Sequence, residues 1–88
     1  MNKRILITGG AGFVGSNLCI GLKKNNPSYQ ITAFDNLSRR GSELNLKRLN
    51  QAGIIFKHGD IRNQEDLSEI TEIDFIIDAS AISSVASG

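Results

Sequence analysis

The stretch from Ile5 to Gly15, I-L-I-T-G-G-A-G-F-V-G, constrains the fold more than any other, because an apolar run stops abruptly at Gly9, Gly12 and Gly15, each three residues apart. That pattern is a strand breaking into a phosphate-binding turn. A helix beginning there aims its unpaired backbone N–H groups and the positive end of its dipole at an anion. The three glycines are expected to serve different ends. Gly9 lets the chain turn tightly after the strand, Gly12 lets backbone approach a pyrophosphate with no Cβ in the way, and Gly15 lets the helix pack close to the sheet. A side chain at Gly12 is expected to obstruct such a ligand.

A glycine triplet alone says little, since glycines cluster in ordinary loops, but here the flanks complete the pattern. Lys3 to Thr8 reads as a buried parallel strand and Phe13 to Lys24 as a helix. Gln30 to Phe34 reads as a second strand ending in Asp35, about twenty residues beyond Gly15, where a ribose-binding acid belongs. Strand, turn, helix, strand and acid in this order specify a βαβ dinucleotide-binding unit.

Beyond Asp35 a polar loop leads to Glu43 to Leu49, where Leu44, Leu46 and Leu49 are spaced for a short helix with Ser42 as its N-cap. Ile54 to Lys57 reads as a third strand closing in His58-Gly59-Asp60, and Gln64 to Thr71 as a second short amphipathic helix with Leu67 and Ile70 on one face. Asp74 opens Phe75-Ile76-Ile77, a continuous apolar run of the kind expected of a strand covered on both faces. It ends in Asp78-Ala79-Ser80-Ala81. Strands alternating with helices imply an α/β fold: a parallel sheet with right-handed crossovers and strand order 3-2-1-4, the N-terminal half of a doubly wound Rossmann-type sheet. Residues 83–88 read as a loop in mid-course, and an apolar fourth strand left at an edge invites aggregation or pairing. Residues 1–88 are therefore expected to be the N-terminal part of one nucleotide-binding domain in a longer protein.

Composition narrows the partners. Ten basic and nine acidic residues, a net charge of +1, are dispersed along the chain and give no electrostatic reason for a nucleic acid or an anionic membrane. Apolar runs are too short to span a bilayer, and Met1-Asn2-Lys3-Arg4 leads straight into a strand rather than into a signal peptide. Cys19 is the only cysteine, which excludes an internal disulfide or a cysteine-based metal site and fits a reducing, cytoplasmic setting. Lying among Leu18, Ile20 and Leu22, it reads as a packed side chain, and His58, the only histidine, as a strand-end residue rather than a ligand or base. No serine sits in a Gly-x-Ser-x-Gly elbow, so a hydrolase is not supported.

The run Thr8 to Leu18, T-G-G-A-G-F-V-G-S-N-L, resembles the N-terminal signature of the extended short-chain dehydrogenase/reductases, the NAD-dependent nucleotide-sugar epimerases and dehydratases. Three later stretches agree in order: Phe34-Asp35-Asn36-Leu37-Ser38-Arg39, His58-Gly59-Asp60-Ile61-Arg62 and Ile77-Asp78-Ala79-Ser80-Ala81. Within the family, the combination D-N-L-S-R-R-G, H-G-D-I-R-N and D-A-S-A is most similar to the CDP-tyvelose (CDP-paratose) 2-epimerases, with the UDP-glucose and UDP-galactose 4-epimerases close behind.

The resemblance implies that Gly9, Gly12, Phe13, Val14 and Gly15 form the pyrophosphate turn of an NAD site, with Asp35 accepting from the adenosine ribose hydroxyls. Asn36, Ser38 and Arg39 would line the adenosine end, and Asp60 and Ile61 would flank adenine, Asp60 accepting from its exocyclic amine. Ala79, Ser80 and Ala81 would run beneath the nicotinamide-side ribose. Arg39 and Arg40 would equally suit the 2′-phosphate of NADP, but that phosphate would lie beside the Asp35 carboxylate, so NAD is the expected cofactor.

The resemblance further implies an epimerase in which NAD takes a hydride from a sugar carbon, giving a keto-sugar, and returns it to the opposite face. A CDP- or UDP-sugar substrate and a homodimer would belong to the full-length protein. A dehydratase or oxidoreductase of the same family, and a non-catalytic NAD-binding fragment, are the alternatives. Two departures stand out. Asp78 lies where many relatives place a histidine, and the family's Tyr-x-x-x-Lys pair has no counterpart, because Tyr29 is the only tyrosine and Ala33, four residues on, is not lysine. No catalytic base is named within residues 1–88.

Overall fold

A computed structural model of the chain describes residues 3–38, 41–68, 70 and 72–79. Its first strand, β1 (Arg4–Thr8), is apolar at three successive positions, and Ile5, Leu6 and Ile7 are all buried. Helix α1 (Phe13–Asn25) follows the glycine turn and buries Gly15, Ser16 and Cys19 along one side. Lys23 and Lys24 in its last turn complement the negative end of the dipole. Asn26 closes the helix, its backbone and side-chain N–H groups both donating to the Leu22 carbonyl, and Pro27 prevents continuation.

Strand β2 (Gln30–Asp35) returns beside β1, and a 3₁₀ turn over Ser42–Asn45 runs into α2 (Leu46–Gln51). Strand β3 (Ile55–His58), the short helix α3 (Gln64–Ser68) and β4 (Phe75–Asp78) complete the described chain. All strand pairs are parallel and the order is β3-β2-β1-β4, as the alternating pattern predicts. The register sets Thr8 beside Phe34 and Asp78, and Asp35 beside His58, so the C-terminal strand ends form one edge.

On one side of the sheet Ile5, Ile7, Ile31 and Ala33 pack with Cys19, Leu49 and Ile54 in a single cluster that Ala79 joins. Burial pushes the Cys19 thiol up to about 12, so it stays protonated and inert at neutral pH, the packed role its neighbours predict.

Two expectations are corrected. The segment from residue 43 to 49 is not one helix capped by Ser42: Gly41, at φ +88°, precedes a 3₁₀ turn in which Ser42 is itself buried, and α2 starts only at Leu46. The left-handed Gly41 swings the chain into a tighter i→i+3 turn, closed by the Leu44 N–H donating to the Gly41 carbonyl. The fourth strand is not covered on both faces: Phe75 is 51% and Ile76 65% exposed, because β4 lies at the sheet edge and no described helix packs over it. The helix expected from Gln64 to Thr71 is described as Gln64–Ser68, with Glu69 and Thr71 outside the described residues.

Candidate functional site

The glycine turn sits at the C-terminal edge of the sheet, between β1 and α1, and its backbone is tied to β2. Gly9 has φ +69°, the left-handed conformation that lets the chain reverse directly after Thr8. The Gly10 N–H donates to the Phe34 carbonyl at 3.2 Å and the Gly12 N–H to the Gly9 carbonyl at 3.1 Å. Gly15 packs against the turn itself rather than the strands, for a Cβ there would lie 2.1 Å from the Gly9 carbonyl oxygen. Gly12 has φ −72° and ψ 175°, a conformation open to any residue, so backbone geometry does not demand glycine at this position.

The first turn of α1 has no side-chain cap and no acid. Its backbone N–H groups are therefore left without a side-chain cap or an acid of their own helix, which fits an anionic ligand. Phe13, at the first helical position, is 76% exposed, and Val14 behind it is half-buried.

Asp35 joins the turn to the loop after β2. One carboxylate oxygen accepts from the Ala11 N–H at 3.0 Å and the other from the Leu37 N–H at 2.8 Å. The Asp35 carbonyl accepts from the Gly59 N–H at 3.0 Å, which brings the β3 loop alongside. Asn36 donates to Asp60 at 3.3 Å and accepts from the Ser38 N–H at 3.0 Å, so three of the residues expected at an adenosine end form one hydrogen-bonded set. Asp60 is gripped by Arg62, whose Nη2 lies 2.7 Å from one carboxylate oxygen and whose backbone N–H donates to the other at 2.9 Å. That guanidinium holds the Asp60 carboxyl well below its ordinary range. Ile61 is exposed beside it.

On the far side, the Thr8 hydroxyl donates to Asp78 at 2.8 Å, joining the ends of β1 and β4. Asp78 thus has a partner in the neighbouring strand. Ala79 is buried against the core. Arg39, Arg40, Ser80 and Ala81 lie outside the described residues. Tyr29 precedes β2 and so lies at the opposite end of the strands from the glycine turn. No group of three histidine, cysteine or acidic residues suited to a metal occurs among the described residues, and none of their helices is long and apolar enough to cross a membrane.

Three contributors were not singled out from sequence. Gly10 lets the turn press on β2, since a Cβ there would fall 2.6 Å from the Ala33 Cβ. The Asn45 side chain donates to the Ala11 carbonyl at 2.7 Å, and the Thr8–Asp78 bond links strands 70 positions apart. Only Gly10, standing inside the G-G-A-G run, carried a local signal.

The parallel 3-2-1-4 sheet with a glycine turn at the C-terminal end of its first strand is a Rossmann-type α/β unit. Residues 5–88 match the NAD dependent epimerase/dehydratase family, and the chain belongs to it. A CDP-paratose 2-epimerase of Salmonella typhi is 44% identical over 68 residues, covering 76% of this chain and 20% of its own length. Among solved structures, a dTDP-glucose 4,6-dehydratase of Bacillus anthracis in complex with NAD superposes with a TM-score of 0.77 at 32% identity, over 86% of this chain and 26% of that one. A UDP-glucose 4-epimerase of Bifidobacterium longum in complex with NAD+ and UDP gives 0.72 at 27%, over 86% and 24%. The chain spans about a fifth to a quarter of the length of the curated relatives it matches.

Proposed function

We propose that this chain is the cofactor-holding part of an NAD-dependent nucleotide-sugar epimerase. The observation that carries the reading is the Asp35 carboxylate, which sits 3.0 Å from the Ala11 N–H of the glycine turn and so sets a diol-accepting acid beside an uncapped helix N-terminus. A dinucleotide offers that pairing, with a pyrophosphate one ribose away from a vicinal diol. Gly9, Gly12 and Gly15 shape the turn, and the N–H groups of Phe13 and Val14 face the pyrophosphate. Asp35 accepts from the adenosine ribose, and Asn36, Ser38 and Arg39 line the same end. Ile61 packs on adenine, while Asp60 accepts from its amine in exchange for part of its contact with Arg62. Ala79, Ser80 and Ala81 leave room at the end of β4 for the nicotinamide half.

NAD, when bound, supplies the acceptor and donor of hydride for a sugar carbon; the residues here bind and orient it. For the whole protein the reading extends to a CDP- or UDP-sugar substrate, a homodimer and a cytoplasmic location. A dehydratase of the same family is the second reading, supported by the higher structural similarity to the dTDP-glucose dehydratase than to the 4-epimerase.

Calorimetric titration of the chain with NAD and with NADP tests the cofactor assignment. Two like charges about 4 Å apart at a wet surface repel by about 1 kcal/mol, so the 2′-phosphate beside Asp35 is expected to weaken NADP binding by about fivefold or more. Equal or reversed affinities would overturn the assignment.

A further inference from the structure

Asn45 is the N-cap residue of α2, a position where asparagine ordinarily turns its side chain back onto its own helix. Here it makes no such bond. Its amide instead reaches 34 positions back and donates to the Ala11 carbonyl at 2.7 Å, tying the glycine turn to the segment after β2. Its oxygen accepts from Arg48 Nη1 at 3.1 Å, and Arg48 Nη2 in turn donates to Asn17 of α1 at 2.8 Å. Because an amide has distinct donor and acceptor ends, the Arg48 contact fixes which end meets Ala11.

Ala11 is thereby held at both polar atoms: its N–H by Asp35 and its C=O by Asn45. The Ala11 carbonyl belongs to the same planar peptide as the Gly12 N–H, which closes the turn onto the Gly9 carbonyl at 3.1 Å, so holding the oxygen as well pins that peptide at both ends and with it the entry into α1. We propose that Asn45 is a positioning residue for the cofactor turn, holding the Ala11–Gly12 peptide so that the first turn of α1, with the Phe13 and Val14 N–H groups, is aimed at the anion site before any ligand arrives. The proposal rests on the NAD-binding reading above. Through Asn45 it assigns the 3₁₀ turn and α2 a part in cofactor affinity.

Two variants and two readouts test it in the whole chain. Asn45→Ala removes the donor. Asn45→Asp keeps the shape, the preferred N-cap chemistry and the partner for Arg48, but turns an acceptor on the Ala11 oxygen. NAD affinity is expected to fall about five- to tenfold in Asn45→Ala and at least as far in Asn45→Asp, the scale of one lost hydrogen bond. The thermal midpoint of Asn45→Asp, which keeps the Arg48 contact, is expected to fall no further than that of Asn45→Ala while its affinity falls at least as far. In both variants without ligand, the Gly12 backbone amide resonance is expected to move while those of Arg4 to Ile7 hold still. A merely structural role would lower affinity only in step with the thermal midpoint. Unchanged affinity and an unmoved Gly12 amide in both variants would overturn the proposal while leaving the NAD assignment standing. A parent chain that does not bind NAD would overturn both.

Discussion

Replacing Gly15 with alanine is expected to cost the chain about 3 kcal/mol of stability. The new Cβ would lie 2.1 Å from the Gly9 carbonyl oxygen, 2.8 Å from its carbon and 2.9 Å from the Gly10 Cα. All three are backbone atoms of a turn pinned to β2, so none can rotate aside as a flexible side chain would. Overpacking ordinarily costs about 1–3 kcal/mol and more where backbone must shift. A value of about 3 kcal/mol is a large share of the roughly 4–13 kcal/mol typical for a domain of this length. Gly21 in the same helix supplies the contrast, for nothing lies within 4 Å of a Cβ built there. Alanine at that position is expected to stabilise by about 0.5–1 kcal/mol through helix propensity. Urea unfolding followed by circular dichroism separates the two. Similar midpoints for Gly15→Ala and Gly21→Ala would refute the seating of α1 on the turn.

Asp35→Ala is the second large effect, and it acts on binding as well as folding. The carboxylate accepts from Ala11 and Leu37, and bonds to an ionised acceptor are worth about 1.5–3 kcal/mol each in mutational series. Discounted for its half-exposed position, the pair amounts to about 2–4 kcal/mol of stability. The ribose hydroxyls would lose the same acceptor, so NAD affinity is expected to fall by about a hundredfold or more. Calorimetry on the fraction that remains folded reads the two effects separately. An affinity within twofold of the parent would remove Asp35 from the site.

The sequence yielded the sheet order, the strands and the turn because these rest on local signals: apolar runs, punctuating glycines, and an acid at a fixed distance. Asp35 was legible for that reason. The clamp on Ala11 was not, because Asn45 approaches it from 34 positions away and no periodicity encodes that meeting. The Thr8–Asp78 bond depends likewise on the register of β1 against β4. An apolar run such as Phe75-Ile76-Ile77 reports the capacity to be buried rather than the neighbours that bury it, so the exposure of β4 had no local signature. The 3₁₀ turn escaped for a different reason: Leu44, Leu46 and Leu49 suit either helix type, and the left-handed Gly41 decides between them.

The central claim is that the glycine turn and the Asp35 loop together receive the ADP half of NAD. Its most direct test is a titration of the ¹⁵N-labelled chain with NAD, followed at assigned backbone amides. The account predicts saturable shifts concentrated at Gly9 to Gly15 and Asp35 to Ser38, with smaller ones at Asp60 and Ile61. Shifts confined to the opposite end of the strands, around Arg4, Lys23, Ser28 and Tyr29 where the sheet presents an open cleft, would contradict it, as would none at all.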